Sequence, residues 1–150
     1  MKLSKFTEES LISFDLKSKN KEQIISELVD IAGKSKLVKD RDELHRAVVE
    51  REKLVTTGVG YGVAFPHAKT KAVKGIIVVF GRSNEGIDFE AMDRKPVQYF
   101  FLIAAPEDAI GAHLNVMARL SYIMKNEGVR QKLGAINSPK ELLEIIDSVE

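Results

Sequence analysis

The sequence predicts a three-layer α/β/α fold, one mixed sheet of four to five strands flanked by helices, in a single domain over residues 1–150. Two apolar runs carry the expectation. Residues 76–80, between Gly75 and Gly81, and residues 97–105, ahead of Pro106, read as strands covered on both faces. Segments of helical period with cap signals surround them, and no repeat, low-complexity tract or proline-rich linker divides the chain.

The elements follow in order. Residues 11–16 alternate Ile12, Phe14 and Leu16 with smaller or polar neighbours, the period of a half-buried strand. Asn20 and Gln23 form a capping pair for a helix with Ile24, Leu28 and Ile31 on one stripe and Gly33 as its stop. Asp40 and Glu43 open a second helix, with Leu44, Val48 and Arg51 on its inner side. His45 falls on the outer flank. Residues 63–65 read as a strand, and residues 85–95 as a polar turn with Ile87 and Phe89 alternating as in a short edge strand. Residues 109–125 are helical, with His113, Met117, Leu120 and Met124 on one stripe and Leu114 and Ala118 beside it. A short helix over 129–133 follows. Ser138, Pro139 and Glu141 then start a last helix that buries Leu142, Leu143, Ile145, Ile146 and Val149.

Composition narrows the function classes. A net charge of +1 without a basic cluster gives no footprint for nucleic acid or anionic lipid. The absence of cysteine removes disulfides, thiolate catalysis and thiolate metal sites, and fits a reducing compartment. Residues 1–10 lack the apolar stretch of a signal peptide and no run is long enough to span a bilayer, so the expected location is cytoplasmic.

The chemistry points to residues 58–70. Gly58, Gly60 and Gly62 alternate ahead of Val63-Ala64-Phe65-Pro66-His67, so a flexible loop and a short strand deliver one imidazole to an open edge. Such strand ends are where α/β sheets bind ligands. No carboxylate or serine motif accompanies His67, and no histidine pair has zinc spacing. Arg51, Thr56, Thr57, the glycine amides, Lys69 and Lys71 surround it in sequence, a set suited to phosphoryl oxygens. Each has a plainer reading. Arg51 fits a pair with Glu50 or Glu52, His113 a satisfied core histidine, and Thr56 and Thr57 turn residues. The acidic residues Glu85, Asp88, Glu90 and Asp93 fit a solvated loop or a patch for a basic partner.

Over nearly its whole length the chain resembles the type-2 enzyme IIA domains of the bacterial phosphoenolpyruvate-dependent sugar phosphotransferase system, the fructose/mannitol/nitrogen class, and most of all the fructose-specific ones. The signature runs from Glu52 through Val59-Gly60 to Val63-Ala64-Phe65-Pro66-His67-Ala68, departing only at Phe65, where the family usually has an aliphatic residue. Arg51-Glu52-Lys53, Thr56-Thr57-Gly58, residues 81–89 and residues 101–106 followed by His113-Leu114 extend the match. The resemblance implies that His67 accepts a phosphoryl group on Nε2 from the phosphocarrier HPr and passes it to an enzyme IIB. It also implies that Arg51 and His113 flank the site. Thr56, Thr57, Gly58 and Gly60 would complete the cradle, with a backbone carbonyl holding the other ring nitrogen of His67. Such a site needs neither metal nor cofactor and is shallow, bordered by Val59, Tyr61 and Phe65, with the acidic 85–93 segment a candidate rim for HPr. The protein would be peripheral to a membrane IIC through IIB, with sugar selectivity belonging to those partners. A regulatory, nitrogen-class role for the same phosphohistidine is the alternative.

Overall fold

The computed structural model describes residues 2–148. Six strands form one mixed sheet: β1 (Ile12–Ser13), β2 (Gly58–Gly60), β3 (Val63–Ala64), β4 (His67–Lys69), β5 (Ile77–Ile87) and β6 (Val97–Ala105). The order is β1-β5-β6-β3-β2, and β4 also pairs with β6. The long antiparallel ladder of β5 with β6 is the spine. Against it β1 runs parallel to β5, while β3 and β4 run parallel to β6 one after the other, Val63 opposite Tyr99 and His67 opposite Ile103.

Alternation along the spine makes the three layers. Ile77, Val79, Phe100, Leu102 and Ala104 face one core, which they share with α1 (Lys21–Ala32) and α2 (Arg41–Leu54). Val78, Phe80, Tyr99, Phe101 and Ile103 face the other, beneath α3 (Ile110–Met124), α4 (Glu127–Ala135) and α5 (Pro139–Ser148). The helix starts follow their caps. Asn20 Oδ1 accepts from the Gln23 amide at 2.9 Å and Asp40 Oδ1 from the Glu43 amide at 3.1 Å. Asn126 does the same for Val129, which starts α4 two residues before the residue where its apolar pattern begins.

Several expectations are corrected. The sheet has six strands because residues 58–60, expected as loop, pair with β3, and residues 67–69 pair separately with β6. The strand expected over residues 11–16 shrinks to Ile12–Ser13, since Leu11 closes a 3₁₀ turn, although the Leu16 amide still reaches the Arg82 carbonyl at 2.9 Å. No separate edge strand forms over residues 87–89. Ile87 instead ends β5 opposite Val97, beyond an irregularity where Gly86 takes φ +82°, and Phe89 is buried outside any strand. On α3 the inward residues are His113, Val116, Leu120, Ile123 and Met124, while Leu114 and Ala118 are exposed. On α5 only Leu142 and Ile146 are fully buried; Leu143 and Ile145 are half-buried and Val149 lies outside the described residues.

Tyr61 and Gly62, at φ +61° and +75°, form the two-residue turn between β2 and β3, the type I′ pattern. A left-handed non-glycine costs about 1–2 kcal/mol. Part of this is offset by Arg130 of α4, whose guanidinium sits 4.6 Å from the Tyr61 ring centre, a contact worth about 0.5–1 kcal/mol at an exposed site.

Gly58 is needed for close approach. A Cβ there would lie 2.8 Å from Ala91 Cβ and 2.9 Å from Ala91 Cα. Gly58→Ala should therefore lower stability by about 1–3 kcal/mol. An unchanged urea midpoint would show that the 91 segment yields at no cost.

Candidate functional site

His67 opens β4 with its backbone tied to the sheet on the preceding side, where the Pro66 carbonyl accepts from the Ile103 amide at 3.0 Å. Its imidazole is half-buried, with Nδ1 2.8 Å from the Phe65 carbonyl oxygen. A carbonyl can only accept, so in the neutral ring Nδ1 carries the proton and Nε2 keeps its lone pair. Burial lowers the His67 pKa below the usual histidine value. The hydrogen bond to Phe65 opposes this, the Arg51 charge adds to the fall, Glu52 opposes it and Lys69 adds to it. At neutral pH the ring is thus a free base.

His113, one turn into α3, brings its ring centre to 5.4 Å from that of His67. It is 3% exposed, and its Nδ1 is buried with no hydrogen-bond partner among the described residues. The reading of a core histidine satisfied by its neighbours therefore does not hold. Burial, then the nearby His67 and Lys69, push its pKa down to about 4. An orphaned buried N–H is rarer than a bare acceptor, which favours the proton on Nε2 of His113.

Arg51 is half-buried at the end of α2, and Nη1 donates to the Val55 carbonyl at 2.9 Å. It pairs with neither Glu50 nor Glu52; Glu50 is held by Lys53 and Glu52 by Lys21. The rest of its fork has no partner among the described residues, and its charge acts on His67. Lys69 is exposed. His67, His113, Arg51 and Lys69 thus form one electrostatic cluster, positive around two neutral imidazoles.

The expected phosphate cradle is differently employed. Thr57 is buried, giving its amide to Glu52 Oε2 at 2.8 Å and its hydroxyl to Oε1 at 2.6 Å. The Gly58 amide donates to Thr56 Oγ1 at 3.1 Å, and that hydroxyl donates to the Phe89 carbonyl at 3.3 Å. Gly60 pairs with Val63 at the hairpin end, at φ +103° over Asp93. These donors are engaged within the loop because the fold must satisfy a buried carboxylate and a tight turn first.

Glu52 is the residue whose placement sequence reading missed. The buried positions of α2 are Leu44, Val48 and Glu52, at i, i+4 and i+8, so the carboxylate and not Arg51 continues the inward stripe. The spacing alone carried that signal. Of the expected border, Val59 and Tyr61 are exposed but Phe65 is buried, stacked on Phe101 at 5.9 Å between ring centres, which accounts for an aromatic at that position. Glu85 pairs with Lys19 and Glu90 with Lys21, so half of the acidic segment is met within the chain.

A groove of about 920 Å³ between α1, α2 and the 90 loop is lined by Lys21, His45, Glu52, Val55 and Thr56, among others, and by neither His67 nor His113. His45, expected on the outer flank, is half-buried at this groove. Among the described residues no group of three or more His, Cys, Asp or Glu could hold a metal ion, and no helix is long and apolar enough to cross a membrane.

Comparisons with known proteins place the chain as a whole. The chain is 41% identical over 147 residues to the fructose-specific EIIA component of Haloferax volcanii, covering 98% of this chain and 96% of that protein. It is 36% identical over 147 residues to the fructose-specific EIIABC component of Bacillus subtilis, spanning 98% of this chain but only 23% of that longer protein. Its fold matches the crystal structure of nitrogen regulatory protein IIA-Ntr from Neisseria meningitidis with a TM-score of 0.89 at 30% identity, covering 96% and 98% of the two chains. It also matches the IIA of the complex between enzyme IIA-mannitol and phosphorylated enzyme IIB-mannitol from Escherichia coli, with a TM-score of 0.79 at 27% identity over 93% and 95% of the chains. Residues 5–149 match the model of the family described as phosphoenolpyruvate-dependent sugar phosphotransferase system, EIIA 2, and the chain belongs to that phosphotransferase family.

Proposed function

We propose that this protein is a cytoplasmic phosphocarrier that takes a phosphoryl group onto Nε2 of His67 from phospho-HPr and hands it to an enzyme IIB, itself attached to a membrane IIC for sugar uptake. The observation that carries the reading is the contact of His67 Nδ1 with the Phe65 carbonyl, which leaves Nε2 as the nucleophile. In the first transfer the N–P bond of phospho-HPr breaks as one to His67 Nε2 forms, and in the second that bond breaks as the phosphoryl group bonds to the nucleophilic atom of IIB. No water enters and no electron is exchanged. The proton stays on Nδ1, which donates it to the Phe65 carbonyl, so the ring never needs a base to activate it.

The protein's part is then positioning and charge. Negative charge spreads over the three equatorial phosphoryl oxygens in flight, and preorganised donors stabilise it. Arg51 offers the unused part of its fork and His113 an N–H from Nε2. Lys69 adds positive field. His67 is half-buried, not enclosed, and Lys69 beside it is exposed, which suits a site that must meet two protein partners in turn; recognition of IIB is supported by the IIA-mannitol complex with phosphorylated IIB.

The likeness in fold to a nitrogen regulatory protein supports a second reading, in which the phosphorylated state controls binding to other proteins. The higher identity to a fructose-specific EIIA component over almost the whole of both chains favours transport.

Incubation with phosphoenolpyruvate, enzyme I and HPr should add one acid-labile phosphoryl group to the wild type and none to His67→Ala, read by intact mass. An unmodified wild type would overturn the proposal. Arg51→Gln and His113→Ala should each slow transfer by about 10²–10³-fold, the cost of one lost oxyanion-type donor; rates equal to wild type would remove them from the site.

The depressed imidazoles also set a pH dependence. Above pH 6.5 His113 is neutral in both folded and unfolded chains. Between 6.5 and about 4 the unfolded chain binds the proton that the folded one refuses, so stability falls as pH falls through this window. His113→Phe should show a shallower loss of thermal midpoint from pH 6.5 to 4 than the wild type, and parallel curves would show that His113 contributes nothing to it.

A further inference from the structure

We infer that Glu52, anchored by Lys21, is a positioning residue that fixes the tautomer and pose of His67 through Thr57 and Phe65. The inference rests on His67 as the phosphoryl acceptor and adds the parts that hold it ready.

The hydrogen bonds form one path. Lys21 Nζ, in the first turn of α1, lies 3.0 Å from Glu52 Oε2 and 4.6 Å from the centre of the Phe89 ring. Glu52, 7% exposed at the end of α2, grips Thr57 at two points, the amide at 2.8 Å and the hydroxyl at 2.6 Å. The Thr57 carbonyl accepts from the Phe65 amide at 3.0 Å, and the Phe65 carbonyl accepts from His67 Nδ1 at 2.8 Å.

Each step fixes the orientation of the next. A carboxylate that binds both donors of one residue sets the Thr57 peptide in direction as well as place. The Thr57 carbonyl then fixes one edge of Phe65, and stacking of Phe65 on Phe101 fixes its ring. What remains free is the Phe65 carbonyl, aimed at the imidazole. A buried carboxylate is retained only where its partners are complete, and here they come from α1 and from the loop before the acceptor. Outer partners of this kind orient a functional histidine and select its tautomer. The Glu52 charge also acts on His67 directly, opposing the fall that burial imposes.

The competing role for Thr57 is direct contact with the phosphoryl group, and one set of variants separates the two. Thr57→Val removes the hydroxyl while keeping the shape, Thr57→Ser retains it, and Glu52→Gln removes one acceptor. The tautomer of His67 is read by ¹⁵N NMR on the unphosphorylated protein above pH 7, and the rate of phosphorylation with phosphoenolpyruvate, enzyme I and HPr. Thr57→Val and Glu52→Gln should both raise the Nε2-protonated fraction and slow transfer by about 10- to 100-fold. Thr57→Ser should match the wild type, and the double variant should be no slower than the slower single one. Slowed transfer with an unchanged tautomer in Thr57→Val would overturn the inference and assign the hydroxyl to the phosphoryl group. Unchanged tautomer and rate would overturn it outright. If Glu52→Gln fails to fold, the Thr57 pair decides alone. If the wild type takes no phosphoryl group, the acceptor reading fails while the tautomer ratios still decide this one.

Discussion

The hydrogen bond from His67 Nδ1 to the Phe65 carbonyl, at 2.8 Å, sets what the imidazole can do. An imidazole has two nitrogens and one proton, and only the bare nitrogen can attack phosphorus. A hydrogen bond with a net worth of about 1 kcal/mol biases that choice by about fivefold, and more where the surroundings are half-dry. The bond also fixes the ring plane, so the lone pair on Nε2 points in one direction. The approach of the two proposed partner proteins, and the proposed reach of Arg51 and His113, have meaning only relative to that direction.

The sheet supplies the carbonyl by breaking its own ladder. β3 and β4 lie end to end along β6, opposite Tyr99 and Phe100 and then Ile103 to Ala105. Between them the Phe65 amide leaves for Thr57 and its carbonyl for His67, while the Pro66 carbonyl still takes the Ile103 amide. Proline is suited to this break because it has no N–H to leave unpaired. An unbroken strand would have spent the Phe65 carbonyl on a neighbouring strand. The interruption therefore frees one acceptor for the His67 imidazole, while the Phe65 amide and the Pro66 carbonyl keep partners.

The parts of the fold legible in the sequence were those governed by local rules. Residues 97–105 read as a strand because nearly every side chain is apolar, and Asn20 and Asp40 read as caps because their oxygens bond amides three residues on. His67 and His113 stood out because each interrupts an apolar context. What stayed hidden depends on contacts distant in sequence. β2 and β4 are three residues each and exist only because β3 and β6 lie beside them. Phe65 looked like border because it precedes a proline and a displayed histidine, yet Phe101, remote in sequence, buries it. Glu52 was legible in principle. Its spacing from Leu44 and Val48 puts it inside, but a carboxylate on an inward stripe is discounted until Lys21, on another helix, is known to meet it.

The charges around His67 have a sense that the two states of the imidazole explain together. A neutral acceptor at neutral pH needs a lowered pKa, and burial with Arg51 and Lys69 nearby provides it. The same cations would be a poor environment for an imidazolium and are a good one for a phosphoryl group carrying close to two negative charges. So in the proposed cycle the field that keeps the free ring unprotonated is the field that would stabilise the ring once phosphorylated. Glu52 sits on the other side of this balance, raising the affinity of His67 for protons, and burial against Lys21 and Thr57 confines its charge to the interior. A carboxylate exposed at the rim would repel the incoming group. Buried and saturated with hydrogen bonds, it can brace the loop while its charge is spent on the chain itself.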